Sequence, residues 1–480
     1  MLLNLLLKDA DLCAPLSQAL ACTDAADLTA DSRAVREGIL FFCLKGTRSD
    51  GHDFAAQALQ QGAAAVVCER DLGLEKQIVV RSTRYAFAMA CAAYFGHPSQ
   101  QLKMVAVTGT NGKTTTTYLL KQMLECAGHK VGLIGTIQNM IGDTVLESGY
   151  STPEPYSFQK LLRQMADADC RYVVMETSSH ALDQDRVAGC TFEVGIFTNL
   201  TQDHLDYHGT MENYLLAKKR LFAISRIAVI NADDPYAAQM RQGLDIPVLT
   251  FSAQDDAADY VARNIKGRPD GVDFELLGTG VIGRVRLCTP GRFSVYNAMG
   301  AAVCALALGL PFQTVIEALP QVRGVKGRAE VVPCDKPFTV VIDYAHTPDG
   351  IVNICRTMRE CCSGRLITLF GCGGDRDKTK RPKMAAAAAE LSDHLIVTSD
   401  NPRTEDPAAI IADILPGLEG KNTPYTVIED RVQAIRWGLE NAREGDILLL
   451  AGKGHETYQI IGTQKFDLDE RVVIEQALKG

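Results

Sequence analysis

A glycine-rich turn between a short apolar strand and a helix holds the first residues of this chain whose types and spacing suit chemistry. The stretch reads VAVTGTNGKTTTTYLL over residues 105–120. Gly109 and Gly112 let backbone N–H groups approach an anion closely, and a helix N-terminus favours negative charge. Lys113 would reach the β- and γ-phosphates of a nucleotide, and the Thr114 hydroxyl would hold Mg²⁺. The turn predicts a phosphate cradle, although it lacks the first glycine of the full GxxxxGK[ST] pattern. The alternative is an ordinary strand–turn–helix with a surface lysine.

Two further apolar strands are predicted to end in polar clusters. YVVMETSSHAL (172–182) places Glu176 at the end of the first strand, and GIFTNLTQDHLDYHGT (195–210) places Asp203 and His204 after the second. In open parallel sheets, ligands bind at the carboxyl ends of the strands. A carboxylate and an imidazole at neighbouring strand ends could hold Mg²⁺, although this ion prefers oxygen ligands. Each histidine alone would be explained as a loop or cap residue, and the clustering beside the phosphate loop favours a metal site.

A third group of charged residues follows the strands in the C-terminal third of the chain. Four segments each read as a strand that runs into a charged loop: TVVIDYAHTPDG, RLITLFGCGGDRDKTKRP, HLIVTSDNPRTEDP and DILLLAGKGHETYQ. Arg376, Asp400, Arg403 and Glu456 combine both signs of charge in these loops, as a zwitterionic ligand requires. For any single arginine, a paired surface charge is the competing explanation.

Three other sets of polar residues have two explanations each. Ser32 and the loop Thr47–Ser49 could bind a phosphate-bearing ligand or could simply form turns. Asn297, on a helix of small residues, could read an adenine edge or cap the backbone. Lys218 belongs to a basic run on the predicted helix MENYLLAKKRLF (211–222), and such a run is typical of a solvated face.

Length and composition limit the kind of protein that positions these residues. A chain of 480 residues predicts two to four domains. The net charge of −9 argues against non-specific nucleic-acid binding. The 15 cysteines form no CxxC pair, which predicts reduced core thiols in a cytosol rather than disulfides or zinc sites. The apolar start MLLNLLLKDA is too short for a secretory signal, and no stretch is long enough to cross a membrane. We therefore expect a cytoplasmic protein that acts without nucleic acid or membrane, and, separately from these observations, we expect a monomer.

Alternating strands and helices predict an α/β fold in three domains. We expect a small N-terminal α/β domain (1–97), a central mostly parallel sheet of the P-loop ATPase type (98–327) and a C-terminal doubly wound, Rossmann-like domain (328–480). The phosphate loop and the two neighbouring strand ends then belong to the central sheet. The third charged group belongs to the C-terminal sheet.

Motifs along the whole chain resemble those of the Mur ligases of peptidoglycan synthesis: DSR, TGTNGKTTT, ETSSH, NLTQDHLDYHG, GRAE, DYAHTPD and AGKGHE. Within this family, the chain looks most like the members that add the third amino acid to UDP-N-acetylmuramoyl-L-alanyl-D-glutamate. GCGGDRDKTKRP and DNPRTEDP resemble the form that uses meso-2,6-diaminopimelate, whereas lysine-adding members carry a different tetrapeptide in place of DNPR. Arg403 is then the diagnostic residue, because a guanidinium can grip the extra carboxylate of diaminopimelate in a bidentate pair.

The resemblance also implies roles for individual residues. Catalytic roles fall on Lys113, Glu176, His204 and Lys218. ATP contacts fall on Gly109, Thr110, Asn111, Gly112, Lys113, Thr114, Thr115, Asn297, Arg328 and Asp343. Mg²⁺ ligands fall on Thr114, Glu176, His204 and Lys218, the last as a carbamate (N6-carboxylysine) that offers oxygen. Contacts to the UDP-sugar fall on Ser32, Thr47, Arg48, Ser49, Ser151, Thr152, Ser178, Gln184 and Arg186. Contacts to diaminopimelate fall on Arg376, Asp400, Asn401, Pro402, Arg403, Gly452 and Glu456.

The implied reaction is an ATP-dependent amide ligation. The D-glutamate carboxylate would attack the γ-phosphorus of ATP, and the acyl phosphate would then react with an amine of diaminopimelate. His204, His346 and His455 are candidates for the base that deprotonates this amine. Three alternatives stay open: the same ligase with L-lysine as the added amino acid, a folylpolyglutamate synthetase-like ligase, and a P-loop NTPase that acts as a regulatory switch.

Overall fold

A computed structural model describes residues 1–46, 49–146, 149–322 and 324–479. Contacts divide the chain into two units, of which the first comprises Met1–Phe251 with Gly300–Leu310 and the second Ser252–Met299 with Pro311–Gly480. Both units are α/β, as predicted. The three domain boundaries expected from the sequence stay predictions.

The N-terminal part of the first unit is a four-stranded parallel sheet flanked by helices. The strands, which pair in chain order, are β1 (Asp27–Thr29), β2 (Ile39–Phe42), β3 (Ala65–Cys68) and β4 (Gln77–Val79). The helices are α1 (Leu3–Leu6), α2 (Gln18–Ala21), α3 (Ala55–Gln60) and α4 (Thr83–Tyr94). β2 and β3 are buried along their whole length, as the inner strands of a covered parallel sheet are.

The rest of the first unit is built on a second, mostly parallel sheet. Its strands are β5 (Lys103–Thr108), β6 (Val131–Ile134), β7 (Asn139–Ile141), β8 (Thr144–Leu146), β9 (Tyr172–Glu176), β10 (Phe192–Phe197), β11 (Ser225–Asn231) and β12 (Val248–Ser252). They lie in the order β12-β11-β10-β5-β9-β6-β7-β8, and the pairs β6–β7 and β7–β8 are antiparallel. The helices are α5 (Lys113–Cys126), α6 (Pro155–Asp167), α7 (Ser179–Asp183), α8 (Leu205–His208), α9 (Met211–Ala223) and α10 (Ala237–Arg241).

The register of this sheet brings the predicted functional strand ends to one edge. The expectation that Glu176 and His204 follow neighbouring strands is wrong, because β5, which leads into the phosphate loop, lies between β9 and β10. Val107 of β5 pairs with Glu176 of β9, and Thr108 of β5 pairs with Phe197 of β10. The central strands are continuous apolar runs because helices cover both faces of the sheet. The phosphate loop, Glu176 and the segment after β10 therefore leave the same edge of the sheet.

The second unit begins with an antiparallel meander. It consists of β13 (Tyr260–Arg268), β14 (Gly271–Gly278) and β15 (Val281–Leu287), which agrees with the short β-type segments and glycine turns of the sequence. Two helices follow along the chain, α11 (Arg292–Ala307) and α12 (Phe312–Ala318).

The C-terminal sheet of the second unit has six strands. They are β16 (Glu330–Val332), β17 (Thr339–Asp343), β18 (Leu366–Phe370), β19 (His394–Val397), β20 (Tyr425–Val427) and β21 (Ile447–Ala451). Their order is β16-β17-β21-β18-β19-β20, and every pair except β16–β17 is parallel. The remaining elements are α13 (Pro348–Cys361), α14 (Lys380–Leu391), α15 (Pro407–Ile414), α16 (Arg431–Asn441), the hairpin β22 (Tyr458–Ile461) and β23 (Gln464–Asp467), and α17 (Glu470–Lys479). One apolar core lies on each face of the sheet, so the prediction of a doubly wound arrangement is confirmed.

Two global expectations can be checked on the described residues. Among these, no helix is long and apolar enough to span a membrane. All 15 cysteines lie within the described ranges, and none of them forms a disulfide. The prediction of core thiols is confirmed for the eight buried cysteines. It is wrong for the exposed ones: Cys13, Cys22, Cys126 and Cys288.

Candidate active site

The glycine-rich turn joins β5 to α5, as predicted. Gly109 has φ +151° and Gly112 has φ +85°. A Cβ on Gly109 would stand 1.9 Å from Thr198 Oγ1, so a side chain does not fit there. The Thr198 hydroxyl donates to Asn111 O at 2.6 Å, and the Asn199 side-chain oxygen accepts from Asn111 N at 2.9 Å. The segment after β10 thus holds the loop in the shape that opens the α5 N-terminus to an anion.

Lys113 is folded into this loop and does not extend from the surface. Its Nζ donates to Gly109 O and to Thr110 O, each at 2.8 Å. Thr114 and Thr115, in the first turn of α5, are buried. The interpretation as an ordinary surface lysine is therefore not supported, and the ammonium lies within the turn that would surround a phosphate.

Glu176 ends β9 and has only 1% of its surface exposed. Its carboxylate accepts hydrogen bonds from Thr136 N at 2.8 Å and from Thr136 Oγ1 at 3.0 Å. The Thr136 hydroxyl lies 2.7 Å from Ser151 Oγ, and the Thr152 hydroxyl donates to Glu176 O at 3.0 Å. The predicted metal-binding carboxylate is therefore linked to one predicted substrate contact, Ser151, through Thr136, and a second contact, Thr152, is bonded to the Glu176 backbone. Sequence reasoning missed Thr136, because a single threonine in a loop after β6 carries no motif.

Lys218 is buried, so the expectation of a solvated face is wrong for this residue. It is 1% exposed, its Nζ donates to Gly109 O at 2.8 Å, and the Nζ lies 4.3 Å from the centroid of the Tyr214 ring. Burial, together with the nearby charge of Lys113, holds the pKa of Lys218 well below its usual value. A lowered pKa favours a neutral, nucleophilic amine. Lys219 donates instead to exposed backbone carbonyls, so the two neighbouring lysines have different environments.

His204 occupies a more open position than the other predicted metal ligands. Its side chain is 48% exposed, and its Nε2 lies 3.4 Å from Asp203 Oδ2. The backbone of His204 has φ +52°, and its ring centroid lies 4.9 Å from that of His180. In the described part of the chain, no group of three or more His, Cys, Asp or Glu side chains is gathered as a metal site.

The predicted metal ligands differ in how well their donor atoms suit Mg²⁺. Glu176 supplies a buried carboxylate and Thr114 a buried hydroxyl beside the phosphate loop. Oxygen donors of this kind fit a hard divalent cation. His204 adds an imidazole, which Mg²⁺ favours less, and Lys218 fits only if its amine carries an oxygen-bearing group.

Five predicted UDP-sugar contacts form one cluster in the first unit. Ser178 N donates to Thr152 Oγ1 at 3.1 Å, and Arg186 Nη1 donates to Thr152 O at 3.1 Å. Arg186 Nη2 donates to Gln184 Oε1 at 2.8 Å. Ser151 joins the cluster next to Thr152 along the chain.

The other predicted UDP-sugar contacts lie in the N-terminal sheet region. Ser32 begins a 3₁₀ turn that Asp31 caps, and Ser49 O accepts a hydrogen bond from Gly46 N at 2.9 Å. Thr47 and Arg48 lie outside the described residues. Their predicted contacts stay predictions.

Arg328 and Asp343 lie together in the second unit, as their shared assignment to the nucleotide requires. Asp343 ends β17 and accepts a hydrogen bond from Ala329 N at 2.8 Å. Burial raises the pKa of Asp343, and the Arg328 charge opposes this shift. The Arg328 guanidinium lies 5.0 Å from the centroid of the Tyr344 ring. Asn297 is a buried amide on α11.

The loops of Arg376 and Arg403 meet at the carboxyl ends of β18 and β19. Arg403 Nη1 donates to Gly374 O at 2.6 Å, and Arg403 itself has φ +53°. A Cβ on Gly374 would stand 1.8 Å from Pro402 O, and one on Gly373 would stand 3.0 Å from Arg403 Nη1. Glycine at position 374 is therefore required for the close approach of the two loops, whereas a side chain at position 373 would only have to displace the end of Arg403. Arg376 is exposed at their rim.

The remaining predicted diaminopimelate contacts surround a buried lysine. Asn401 Nδ2 donates to Glu456 Oε2 at 2.7 Å. Lys453 has no exposed surface, and its Nζ donates to Asn401 Oδ1 and to Glu456 Oε2, each at 3.2 Å. Gly452 has φ +112°, and a Cβ there would stand 2.8 Å from Asp400 Oδ2. Asp400, Asn401, Arg403 and Glu456 thus belong to linked hydrogen-bonded groups, with Pro402 and Gly452 beside them along the chain. Both signs of charge converge in these loops as predicted.

Buried cations are what sequence reasoning missed in this unit. Arg381, Arg431 and Lys453 are each at most 1% exposed. Arg431 donates to Ser399 O at 3.2 Å and to Ala451 O at 2.9 Å, the carbonyls that precede two predicted contact residues. Arginine and lysine are expected at the surface, so their letters alone do not reveal such positions.

The three histidines considered as bases differ in environment. Burial, followed by the charges of Arg328, Arg471 and Lys326, lowers the pKa of His455 to about 4. This makes His455 neutral at pH 7 but a weak proton acceptor. His346 is exposed, with its Nδ1 2.8 Å from a backbone carbonyl oxygen. No contact described here selects His346 or His204 as the base.

A phosphate-loop sheet and a doubly wound sheet whose loops carry both signs of charge are the parts that an ATP-dependent ligase of amino acids requires. Residues 26–91 match the Mur ligase family catalytic domain, residues 107–305 the Mur ligase middle domain, and residues 327–454 the Mur ligase glutamate ligase domain. UDP-N-acetylmuramoyl-L-alanyl-D-glutamate–2,6-diaminopimelate ligase of Bacillus velezensis is 45% identical over 465 residues, which cover 95% of this chain and 94% of the relative. The chain belongs to the Mur ligase family, and the resemblance inferred from its motifs is confirmed.

Solved structures agree with this assignment. A structure of UDP-N-acetylmuramoyl-L-alanyl-D-glutamate–2,6-diaminopimelate ligase matches with a TM-score of 0.75 and 34% identity, over 97% of both chains. Folylpolyglutamate synthase of Mycobacterium tuberculosis, complexed with ADP and AMPPCP, matches with a TM-score of 0.62 at 18% identity. That match covers 77% of this chain and 92% of the synthase, and at this identity it shows a shared fold alone.

Proposed function

We propose that this chain joins 2,6-diaminopimelate to the D-glutamate of UDP-N-acetylmuramoyl-L-alanyl-D-glutamate and uses ATP to do so. The observation that carries the proposal is the 45% identity, along 95% of the chain, to a relative that bears this activity in its name. The geometry supports it, because Arg403 lies in a loop fixed by Gly374 at the ligand edge of the C-terminal sheet. The meso stereoisomer is part of the proposal and rests on the DNPR loop.

The first half-reaction is assigned to the phosphate loop. The loop N–H groups and the α5 N-terminus bind the phosphates, and Lys113 neutralises charge as the D-glutamate carboxylate attacks the γ-phosphorus. Ser151 adjoins Glu176 through Thr136, and Thr152 donates directly to Glu176 O, which would place the substrate beside the attacked phosphate. Phosphoryl transfer depends mainly on such positioning and charge neutralisation.

Mg²⁺ is a second element of the proposal. Thr114 would hold one ion, Glu176 and His204 would hold a second, and bound Mg²⁺ supplies positive charge at the phosphates. Lys218 would join them as a carbamate, formed when its neutral amine attacks CO₂ and releases a proton. Burial of Lys218 supports this step, because the lowered pKa favours the neutral amine. NMR with ¹³C-labelled bicarbonate should show a carbamate signal that disappears in Lys218→Met; no signal in the wild type would refute the modification.

The second half-reaction is assigned to the C-terminal sheet. Arg376 and Arg403 would bind carboxylates of diaminopimelate, while Asp400, Asn401 and Glu456 would bind an ammonium group. The amine that attacks the acyl phosphate must lose a proton, and His204 and His346 remain the candidates for this role. A monomeric state is also part of the proposal. The unpaired thiols support a cytoplasmic location.

The test is phosphate release measured with ATP, the UDP-muramoyl dipeptide and one added amino acid. We expect phosphate release when diaminopimelate is present and no release when lysine is added in its place. Release without any amino acid would indicate the regulatory NTPase, and preference for lysine would refute the role of Arg403. Turnover of a folate substrate would indicate the folylpolyglutamate synthetase-like alternative.

A further inference from the structure

Arg381 is a fully buried cation that the proposed reaction does not use. It lies in the first turn of α14 and has no exposed surface. Its guanidinium donates to both oxygens of Glu405, at 2.8 and 3.0 Å, to Asp413 at 2.8 Å, and to Gly373 O at 3.4 Å. A buried guanidinium requires a paired charge and bonded N–H groups, and here both terminal nitrogens, Nη1 and Nη2, are bonded while Nε has no partner. Arg381 is therefore held in one geometry, with Glu405 as its bidentate partner.

Glu405 extends this contact to the loop of Arg376. Its Oε1 accepts a hydrogen bond from Asp375 N at 2.6 Å. The Asp375 carboxylate in turn accepts from the Thr404 hydroxyl at 2.7 Å and from Thr404 N at 3.3 Å. Asp375 has φ +54°, a conformation that a non-glycine residue keeps only when its surroundings impose it. The contacts to Glu405 and Thr404 are those surroundings, and Arg376 is the next residue along the chain.

The same two loops also fix Arg403. Gly374 N donates to Asn401 O at 2.9 Å, and Gly374 O accepts from Arg403 Nη1 at 2.6 Å. Gly374 and Asp375 are therefore joined to residues 401–405 by hydrogen bonds. Loss of the Glu405 contact would release Asp375, the neighbour of Arg376, and would change the spacing of Arg376 and Arg403.

We propose that Arg381 is a positioning residue for the amino-acid substrate, which acts through Glu405 to fix the spacing of Arg376 and Arg403. The inference rests on the proposed function, since it takes these two arginines as contacts to diaminopimelate. Arg381 is completely covered, so it acts on the substrate only through the loops that it joins. No motif of the sequence assigns this role to it.

The experiment compares Arg381→Met with Arg365→Met in steady-state kinetics. Arg365 is the matched control, because it pairs with Asp446 at 2.6 Å beside the first residues of β18 and β21, at the opposite edge of the same sheet. Arg381→Met should raise the KM for diaminopimelate roughly 10- to 100-fold, as expected when substrate-binding groups are misplaced. The KM for ATP should stay at the wild-type value in both variants, and Arg365→Met should keep the KM for diaminopimelate.

Further variants separate positioning from stability. Arg381→Met, Glu405→Met and the double variant should show nearly the same KM for diaminopimelate, because the two residues act as one unit. If Arg381→Met does not fold, Glu405→Gln tests the same contact, because it changes a partly exposed side chain and should also raise the KM for diaminopimelate. An unchanged KM for diaminopimelate in Glu405→Gln and Arg381→Met, or an equal rise in the KM for ATP, would overturn the inference. Failure of the proposed function is seen separately, as phosphate release by the wild type that does not depend on diaminopimelate.

Discussion

Replacing Arg403 by alanine should weaken diaminopimelate binding and leave ATP binding intact. Alanine keeps the Cβ, so the left-handed backbone at this position (φ +53°) is no more strained than in the wild type. The change removes the guanidinium that donates to Gly374 O and that would hold the second carboxylate of the substrate. A hydrogen bond to a charged group contributes about 1.5–3 kcal/mol, and a bidentate pair makes two of them. Because the site is half-buried, water replaces part of the lost hydrogen bonding. The net loss of binding free energy is then about 2–4 kcal/mol, which corresponds to a roughly 30- to 1,000-fold lower kcat/KM.

The assay varies ATP, the UDP-muramoyl dipeptide and diaminopimelate in turn and measures phosphate release. The KM for diaminopimelate should account for most of the loss. Arg403→Lys should fall between alanine and the wild type, because an ammonium keeps the charge but not the paired geometry. The low rate with lysine as substrate should not change, since lysine has no second carboxylate. An equal rise in the KM for ATP, or a wild-type KM for diaminopimelate, would refute the assignment of Arg403.

Three further perturbations follow from the geometry. Glu176→Gln should lower kcat about 10²- to 10³-fold, the usual effect of removing one preorganised electrostatic group, as measured in single-turnover reactions. Gly374→Ala should raise the KM for diaminopimelate, because its Cβ would stand 1.8 Å from Pro402 O and push the two loops apart. Arg431→Met should lower the free energy of unfolding in urea by about 3–5 kcal/mol, because it leaves the buried carboxylate of Glu470 unpaired.

Each of these has a control. A Glu176→Gln enzyme with wild-type kcat would show that the carboxylate takes no part in the first half-reaction. Gly420→Ala suits comparison with Gly374→Ala, since its Cβ would meet nothing within 4 Å, although its φ of +73° adds some backbone strain. Exchanging Arg431 and Glu470 together for apolar residues should recover much of the stability lost in Arg431→Met. A double variant as unstable as the single one would contradict the explanation by an unpaired charge.

The strands and the positions of the functional loops could be predicted from the sequence. Apolar runs such as Val105–Val107 end at glycine or charged residues, and a parallel sheet brings such ends to one edge. Glu176 and the phosphate loop lie where this rule places them, at the ends of the two adjacent strands β9 and β5. The fold class followed from the same alternation of strands and helices.

Burial of single charged residues could not be predicted in this way. The basic run on α9 contains Lys218, Lys219 and Arg220, and successive residues of a helix point about 100° apart. Only one of the three can face the phosphate loop, and the run itself does not say which. The structure shows that it is Lys218, and the cost of burying its charge is reflected in its lowered pKa. Arg381 is hidden for the same reason, within a charged segment that would otherwise be read as solvated.

Backbone strain gives a second reason why the sequence understates these sites. Asp375 and Arg403 both have positive φ although neither is glycine, and they occupy the two facing loops of the C-terminal sheet. Such residues persist only where their surroundings determine them, here the contacts among Gly374, Thr404 and Glu405. The identity of the diagnostic arginine is therefore visible in the sequence, whereas its orientation is a property of both loops together. Selectivity for the amino acid should accordingly depend on residues that never touch it.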